Sequence, residues 1–124
     1  MRILLAEDDL INRVFIVRLL EKLGCEVLCA ENGQEAVCLL EQQDVDAILM
    51  DIQMPIMDGV EAAQTIRCGA HLGPKQHVPI IATTAYAVDG DRERFLAAGM
   101  NDYIPKPLDL ARLRQALGRV SKRR

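Results

Sequence analysis

Tryptophan is absent, and the aromatic complement is two Phe and two Tyr. A stacking platform for single-stranded nucleic acid, which needs several aromatic faces, is thereby excluded. No charge of one sign dominates, because 15 Lys and Arg face 18 Asp and Glu for a net charge of −3. Bulk attraction to polyanions is therefore no basis for function, and no direct nucleic-acid binding is expected. Four cysteines occur, at 25, 29, 38 and 68, without a CxxC pair. They are expected to be buried free thiols of a reducing compartment. Cys68, His71 and His77 lie in a Gly/Pro-bearing stretch whose spacing matches no zinc pattern. Met1 and Arg2 precede only four apolar residues before Glu7, too few for a signal-peptide core or a membrane span, so a cytoplasmic location is expected. Neither GxxxxGK[ST] nor GxGxxG occurs, which removes the common phosphate cradles of nucleotide sites.

What remains is a chain of 124 residues, half of them hydrophobic. That is enough for one core built from Ile, Leu, Val, Ala and Met, and too short for two ordinary domains. One domain over 1–120 is expected, with a basic tail or the start of a linker at 121–124. The arginines and lysines from Arg112 to Arg124 read as a solvated helix face running into that tail.

Strand and helix patterns alternate along the chain. Residues 3–6 form a short continuous apolar run, as in a strand buried on both faces. Over 10–23, Ile11, Val14, Phe15 and Leu19 recur at helical spacing and predict an inward stripe, with Asn12, Arg13, Arg18 and Lys22 on the wet side and Gly24 as the stop. Strands are predicted at 27–30, 45–50, 78–83 and 103–104. Asn32 with Glu35, and Asp58 with Glu61, resemble capping boxes opening the second and third helices. Asp89 is the expected cap of the fourth helix, which Gly99 ends, and Leu110, Leu113 and Leu117 mark the inner stripe of the fifth. Five βα units without tandem strand pairs predict an α/β fold: a doubly wound five-stranded parallel sheet, flavodoxin-like, of strand order 2-1-3-4-5. In such sheets ligands bind outside the carboxyl ends of the strands, where the order reverses.

Those ends are rich in charge. Glu7, Asp8 and Asp9 follow the first strand, Asp51 the third, Thr83 and Thr84 the fourth, and Lys106 stands between Pro105 and Pro107 past the fifth. Taken singly, Asp9 serves as a helix cap, Thr84 as a strand end and Lys106 as a solvated loop lysine. Together, carboxylates crowded at the mouth of an apolar sheet repel one another, and a hard cation such as Mg²⁺ relieves them through oxygen ligands. A metal, a positive side chain and a hydroxyl donor are the parts that a phosphoryl group needs. With no nucleotide cradle, the phosphoryl group is expected on the protein itself, on a carboxylate nucleophile.

Four segments, ILLAEDDLINR (3–13), ILMDIQMPIMDG (48–59), PIIATTAYA (79–87) and AAGMNDYIPKPL (97–108), together resemble the receiver domain of two-component response regulators. The resemblance runs from Ile3 to about Gly118 and implies the following roles. Asp51 is the phosphoacceptor, Asp8 the direct Mg²⁺ ligand, Glu7 an outer-sphere partner and Gln53 the donor of a backbone carbonyl. Thr84 is the switch hydroxyl, Tyr103 the switch aromatic and Lys106 the partner of the phosphoryl oxygen, with Gln53 and Tyr86 flanking the path of hydrolytic water. Glu at the first acidic position departs from the more usual Asp by one methylene. The implied partner is a sensor histidine kinase or a histidine phosphotransfer domain, and the surface of the fourth helix, fifth strand and fifth helix is the implied output. The implied function is a phosphorylation-dependent switch that catalyses only its own phosphorylation and dephosphorylation. The alternative is a phosphorelay receiver of a hybrid sensor kinase. A small Mg²⁺-dependent phosphatase would want a second aspartate where Gln53 stands.

Overall fold

The computed structural model describes residues 1–85 and 90–122, with side chains through Val120. Within these, five strands and five helices alternate: β1 (Arg2–Ala6), α1 (Leu10–Lys22), β2 (Glu26–Ala30), α2 (Gly33–Gln42), β3 (Ala47–Asp51), α3 (Gly59–Arg67), β4 (Ile80–Thr84), α4 (Asp91–Ala97), β5 (Asp102–Pro105) and α5 (Leu110–Lys122). The stretch read from sequence as a plain loop winds into 3₁₀ turns over Ala70–His77, kinked at Gly73 (φ 62°). All strands pair in parallel in the order β2-β1-β3-β4-β5. The predicted flavodoxin-like topology is the one observed.

The period-two alternation of strand side chains divides the core into two layers. Ile3, Leu5, Leu49 and Ile81 pack with Ile16, Leu20, Leu113 and Leu117 of α1 and α5. Leu4, Ile48, Met50 and Ile80 pack with Leu40, Ile66 and Phe95 of α2, α3 and α4. Local chemistry sets the helix starts. Asp9 Oδ1 accepts the Ile11 N–H at 3.2 Å, Asn32 Oδ1 accepts the Glu35 N–H at 2.8 Å, and Asp58 and Glu61 form a reciprocal capping box. Asp89 and Tyr86 lie outside the described residues; α4 begins after Gly90 (φ 90°) without a side-chain cap.

Two sequence expectations need correction. On α1 the buried row is Ile16, Leu19 and Leu20, whereas Leu10, Ile11, Val14 and Phe15 are 61%, 78%, 42% and 45% exposed. The helix carries two apolar rows, and periodicity alone joined Leu19 to the wrong one. The cysteines are free but not buried: Cys29, Cys38 and Cys68 are exposed and Cys25 is half-buried. Cys29 sits on the edge strand β2, Cys38 on the outer side of α2, and Cys68 caps the end of α3.

Boundary shifts of one or two residues matter near the mouth of the sheet. β3 extends to Asp51 and β4 to Thr84, so both are the last residues of regular strands. Gly59 fixes the chain that follows. Its N–H donates to Ile52 O at 3.1 Å, and a Cβ there would collide with Asp51 O. Only glycine lets the start of α3 lean on the backbone of Asp51 in this way.

Candidate functional site

Four loops and two strand ends converge on a cavity of about 470 Å³, lined among others by Glu7, Asp8, Asp51, Gln53, Thr84 and Lys106. It opens at the carboxyl ends of β1 and β3, on either side of the point where strand order reverses. Glu7 and Asp51 are buried, at 1% and 5% exposure, while Asp8 is exposed. Carboxylate oxygens of Glu7, Asp8 and Asp51 lie within 4.8 Å of one another. Like charges this close in a partly dry cleft repel strongly.

Lys106 answers part of that repulsion. Its ammonium donates to Glu7 Oε1 at 2.8 Å and to Asp51 Oδ2 at 3.0 Å. Its reach is set from β5, because the Lys106 N–H donates to Thr84 O at 2.7 Å and ties the loop to the end of β4. Burial alone would lower the Lys106 pKa, but the hydrogen bonds and charges of Glu7 and Asp51 outweigh it and hold it above the ordinary lysine value. Glu7 is pushed above the ordinary carboxylate range, first by burial and then by its hydrogen bond with Asp51, against the pull of Lys106. The longer Glu side chain at this position thus reaches both Lys106 and Asp51. Asp51 Oδ1 also accepts the Gln53 N–H at 3.2 Å.

Thr84 is buried at the rim, and Thr83, one place earlier, pairs in register with Asp51. Tyr103 stands apart from this cavity. It is half-buried on β5 with its ring centroid 6.1 Å from that of Phe95, beside Arg92 and Leu96. Three further polar side chains line the cavity that no sequence motif assigns to it: Asn12 from α1, and Asp91 and Arg94 from α4. The i, i+3 spacing of Asp91 and Arg94 just past the fourth strand was the available signal.

The doubly wound sheet and its acidic cleft define a flavodoxin-like domain whose chemistry sits at the strand-order reversal. The pattern of the response regulator receiver domain matches residues 3–118, and the chain belongs to that family. It is 43% identical over 121 residues to hybrid signal transduction histidine kinase G of Dictyostelium discoideum, covering 96% of this chain and 4% of that protein. With the signal transduction histidine-protein kinase BarA of Escherichia coli K12 it shares 40% over 117 residues, covering 94% of the chain and 12% of BarA. It therefore spans a small part of the curated relatives it matches. Among solved structures, the receiver domain of a Pseudomonas aeruginosa sensor histidine kinase superposes with a TM-score of 0.86 at 44% identity, covering 97% of each chain. That structure has a magnesium ion coordinated in its active-site cleft. No helix among the described residues is long and apolar enough to cross a membrane.

Proposed function

We propose that Asp51 accepts a phosphoryl group from a phosphohistidine, and that the modified domain then presents a changed surface to a partner. The observation that carries this reading is the buried Asp51 carboxylate, gripped by Lys106 at 3.0 Å and crowded by Glu7 and Asp8 at the switch point of the sheet. In the transfer, an Asp51 carboxylate oxygen forms the bond to phosphorus, the bond from phosphorus to the imidazole nitrogen breaks, and the nitrogen keeps the electron pair. Lys106 offers its charge to the phosphoryl oxygens, and the sheet and Gly59 hold Asp51 in place. The carboxylate cluster fits a hard cation: Asp8 and Asp51 would hold Mg²⁺ with the Gln53 carbonyl and with Glu7 at the outer sphere, and the ion would supply positive charge to the same oxygens.

Access for the donor is supported by the exposed face of α1. Leu10, Ile11, Val14 and Phe15 are open to solvent next to the cavity, which Asn12 of the same helix lines. An apolar strip of this kind fits a histidine-bearing helix of a sensor kinase or a phosphotransfer domain. Once phosphorylated, Asp51 offers oxygens that favour Thr84 drawn inward and Tyr103 turned away from its present contact with Phe95, so that the face of α4, β5 and α5 changes. The domain acts only on its own phosphoryl group. A second reading, onward transfer in a phosphorelay, is favoured by the hybrid-kinase relatives.

Treatment with acetyl phosphate and Mg²⁺ should add one phosphoryl group by mass spectrometry, and Asp51→Asn should take none. Equal labelling of that variant would overturn the assignment. Loss of label to an added histidine phosphotransfer domain would mark the relay.

A further inference from the structure

The cavity has a second cation that the proposed transfer does not use. Arg94 lines it together with Asp51, Thr84 and Lys106, and also borders the neighbouring cleft of Asp8, Gln53 and Met54. It thus stands between the metal-ligating side of the site and the phosphoacceptor. Its guanidinium is 4.0 Å from Asp91 Oδ1, at the outer limit of an ion pair, and lies over the Phe95 ring at 5.0 Å. The side chain is 58% exposed, so it rests at the mouth of the cavity without being locked there. Lys106 by contrast is committed to two carboxylates below it. When a dianionic phosphoryl group occupies Asp51, three oxygens enter a pocket whose cations are Lys106 and Arg94. The planar fork of arginine matches phosphate oxygens better than any other side chain present.

We propose that Arg94 is a phosphoryl-binding residue: it leaves Asp91 and Phe95, pairs with a phosphoryl oxygen on the open side of the cavity, and prolongs the life of the phosphorylated state. The proposal rests on Asp51 being the phosphoacceptor. In the decay that Arg94 opposes, a water oxygen forms a bond to phosphorus and the bond to the Asp51 carboxylate oxygen breaks. Inorganic phosphate, the free carboxylate and a proton result. A guanidinium across the mouth both holds the oxygens and obstructs the approach of water.

Two measurements on the intact chain test this. Beryllofluoride with Mg²⁺, a mimic of the phosphoryl group, should bind Arg94→Ala about 5- to 10-fold more weakly than wild type, and Arg94→Lys should recover part of the loss. Phosphoaspartate formed with excess acetyl phosphate should decay about 3- to 10-fold faster in Arg94→Ala. Beryllofluoride affinity and decay rates equal to wild type would overturn the proposal. So would a matching loss of Mg²⁺ affinity in the absence of beryllofluoride, because the effect would then belong to the metal. A role confined to packing on Phe95 would give no recovery in Arg94→Lys, and that result also counts against it. Wild type that takes neither phosphoryl group nor beryllofluoride would instead remove Asp51 as phosphoacceptor.

Discussion

The two ends of the sheet solve the problem of charge in opposite ways. At the amino ends of β4 and β5, the Arg67 guanidinium donates to Gly99 O at 2.8 Å, to Gln76 O at 2.9 Å and to Asn101 Oδ1 at 2.9 Å. Gln76 returns a hydrogen bond to Arg67 O, and Asn101 Oδ1 also accepts the Ile80 N–H. One half-buried cation faces neutral acceptors, and the network joins α3, the 3₁₀ turns, β4 and β5. At the carboxyl ends, Glu7, Asp8 and Asp51 share a space of 4.8 Å, and Lys106 bridges two of them. The first end is satisfied within the protein. The second concentrates like charge on the ends of a rigid sheet, where Lys106 answers only part of the repulsion, an arrangement suited to the proposed cation and phosphoryl group.

The largest difference should appear when each end loses its central group. Arg67→Ala strips donors from three acceptors at once and should lower stability by about 2–3 kcal/mol in urea unfolding. It should leave phosphorylation intact where the variant is folded, because no part of the network lines the acidic cavity. A variant that unfolds normally yet takes no label would break the separation of the two ends. At the opposite end, Asp8→Ala removes an exposed carboxylate of the proposed Mg²⁺ set and should weaken Mg²⁺ binding about 10- to 100-fold by calorimetry, with little change in unfolding. Equal Mg²⁺ affinity would remove Asp8 from the ligand set.

The same contrast governs what the sequence disclosed. Continuous apolar runs such as Leu4, Leu5 and Ile48–Met50 specify strands buried on both faces, and with one helix between each pair they leave few topologies open. Strand ends then place Glu7, Asp51, Thr84 and Lys106 at one mouth without any knowledge of packing. Helix faces are less legible. α1 is apolar on two rows, and only contact with the sheet decides that Ile16 turns inward while Ile11 faces solvent. Tyr103 carries its switch role by resemblance alone, since its place against Phe95 depends on how α4 packs on β5. Arg94 escaped notice because a charged residue on a short helix reads as solvated surface until the helix is laid against the cavity. The Arg67 network is equally invisible in sequence, because its acceptors are mostly backbone carbonyls 9 to 32 residues away.

The smallest predicted effect tests the tension at the carboxyl end directly. Burial and the hydrogen bond with Asp51 hold the Glu7 pKa above its ordinary value. A carboxyl whose pKa is raised on folding contributes its stability below the ordinary carboxylate range, and that contribution is lost as pH rises through the raised value. Above that value the chain carries a buried charge it would shed. Glu7→Gln keeps the shape and a hydrogen-bonding head without the charge, while Asp51 retains Lys106. In metal-free buffer near neutral pH it should therefore unfold at higher urea concentration than wild type, by about 1 kcal/mol. The advantage should shrink as pH falls into the ordinary carboxylate range, where wild-type Glu7 is protonated in both folded and unfolded chains. Saturating Mg²⁺ should shrink it as well, because a bound cation stabilises the wild-type carboxylate cluster in the folded state only. A Glu7→Gln variant less stable than wild type at neutral pH would show that the Glu7 pair with Lys106 outweighs the repulsion, and that the two ends of the sheet differ less than their geometry implies.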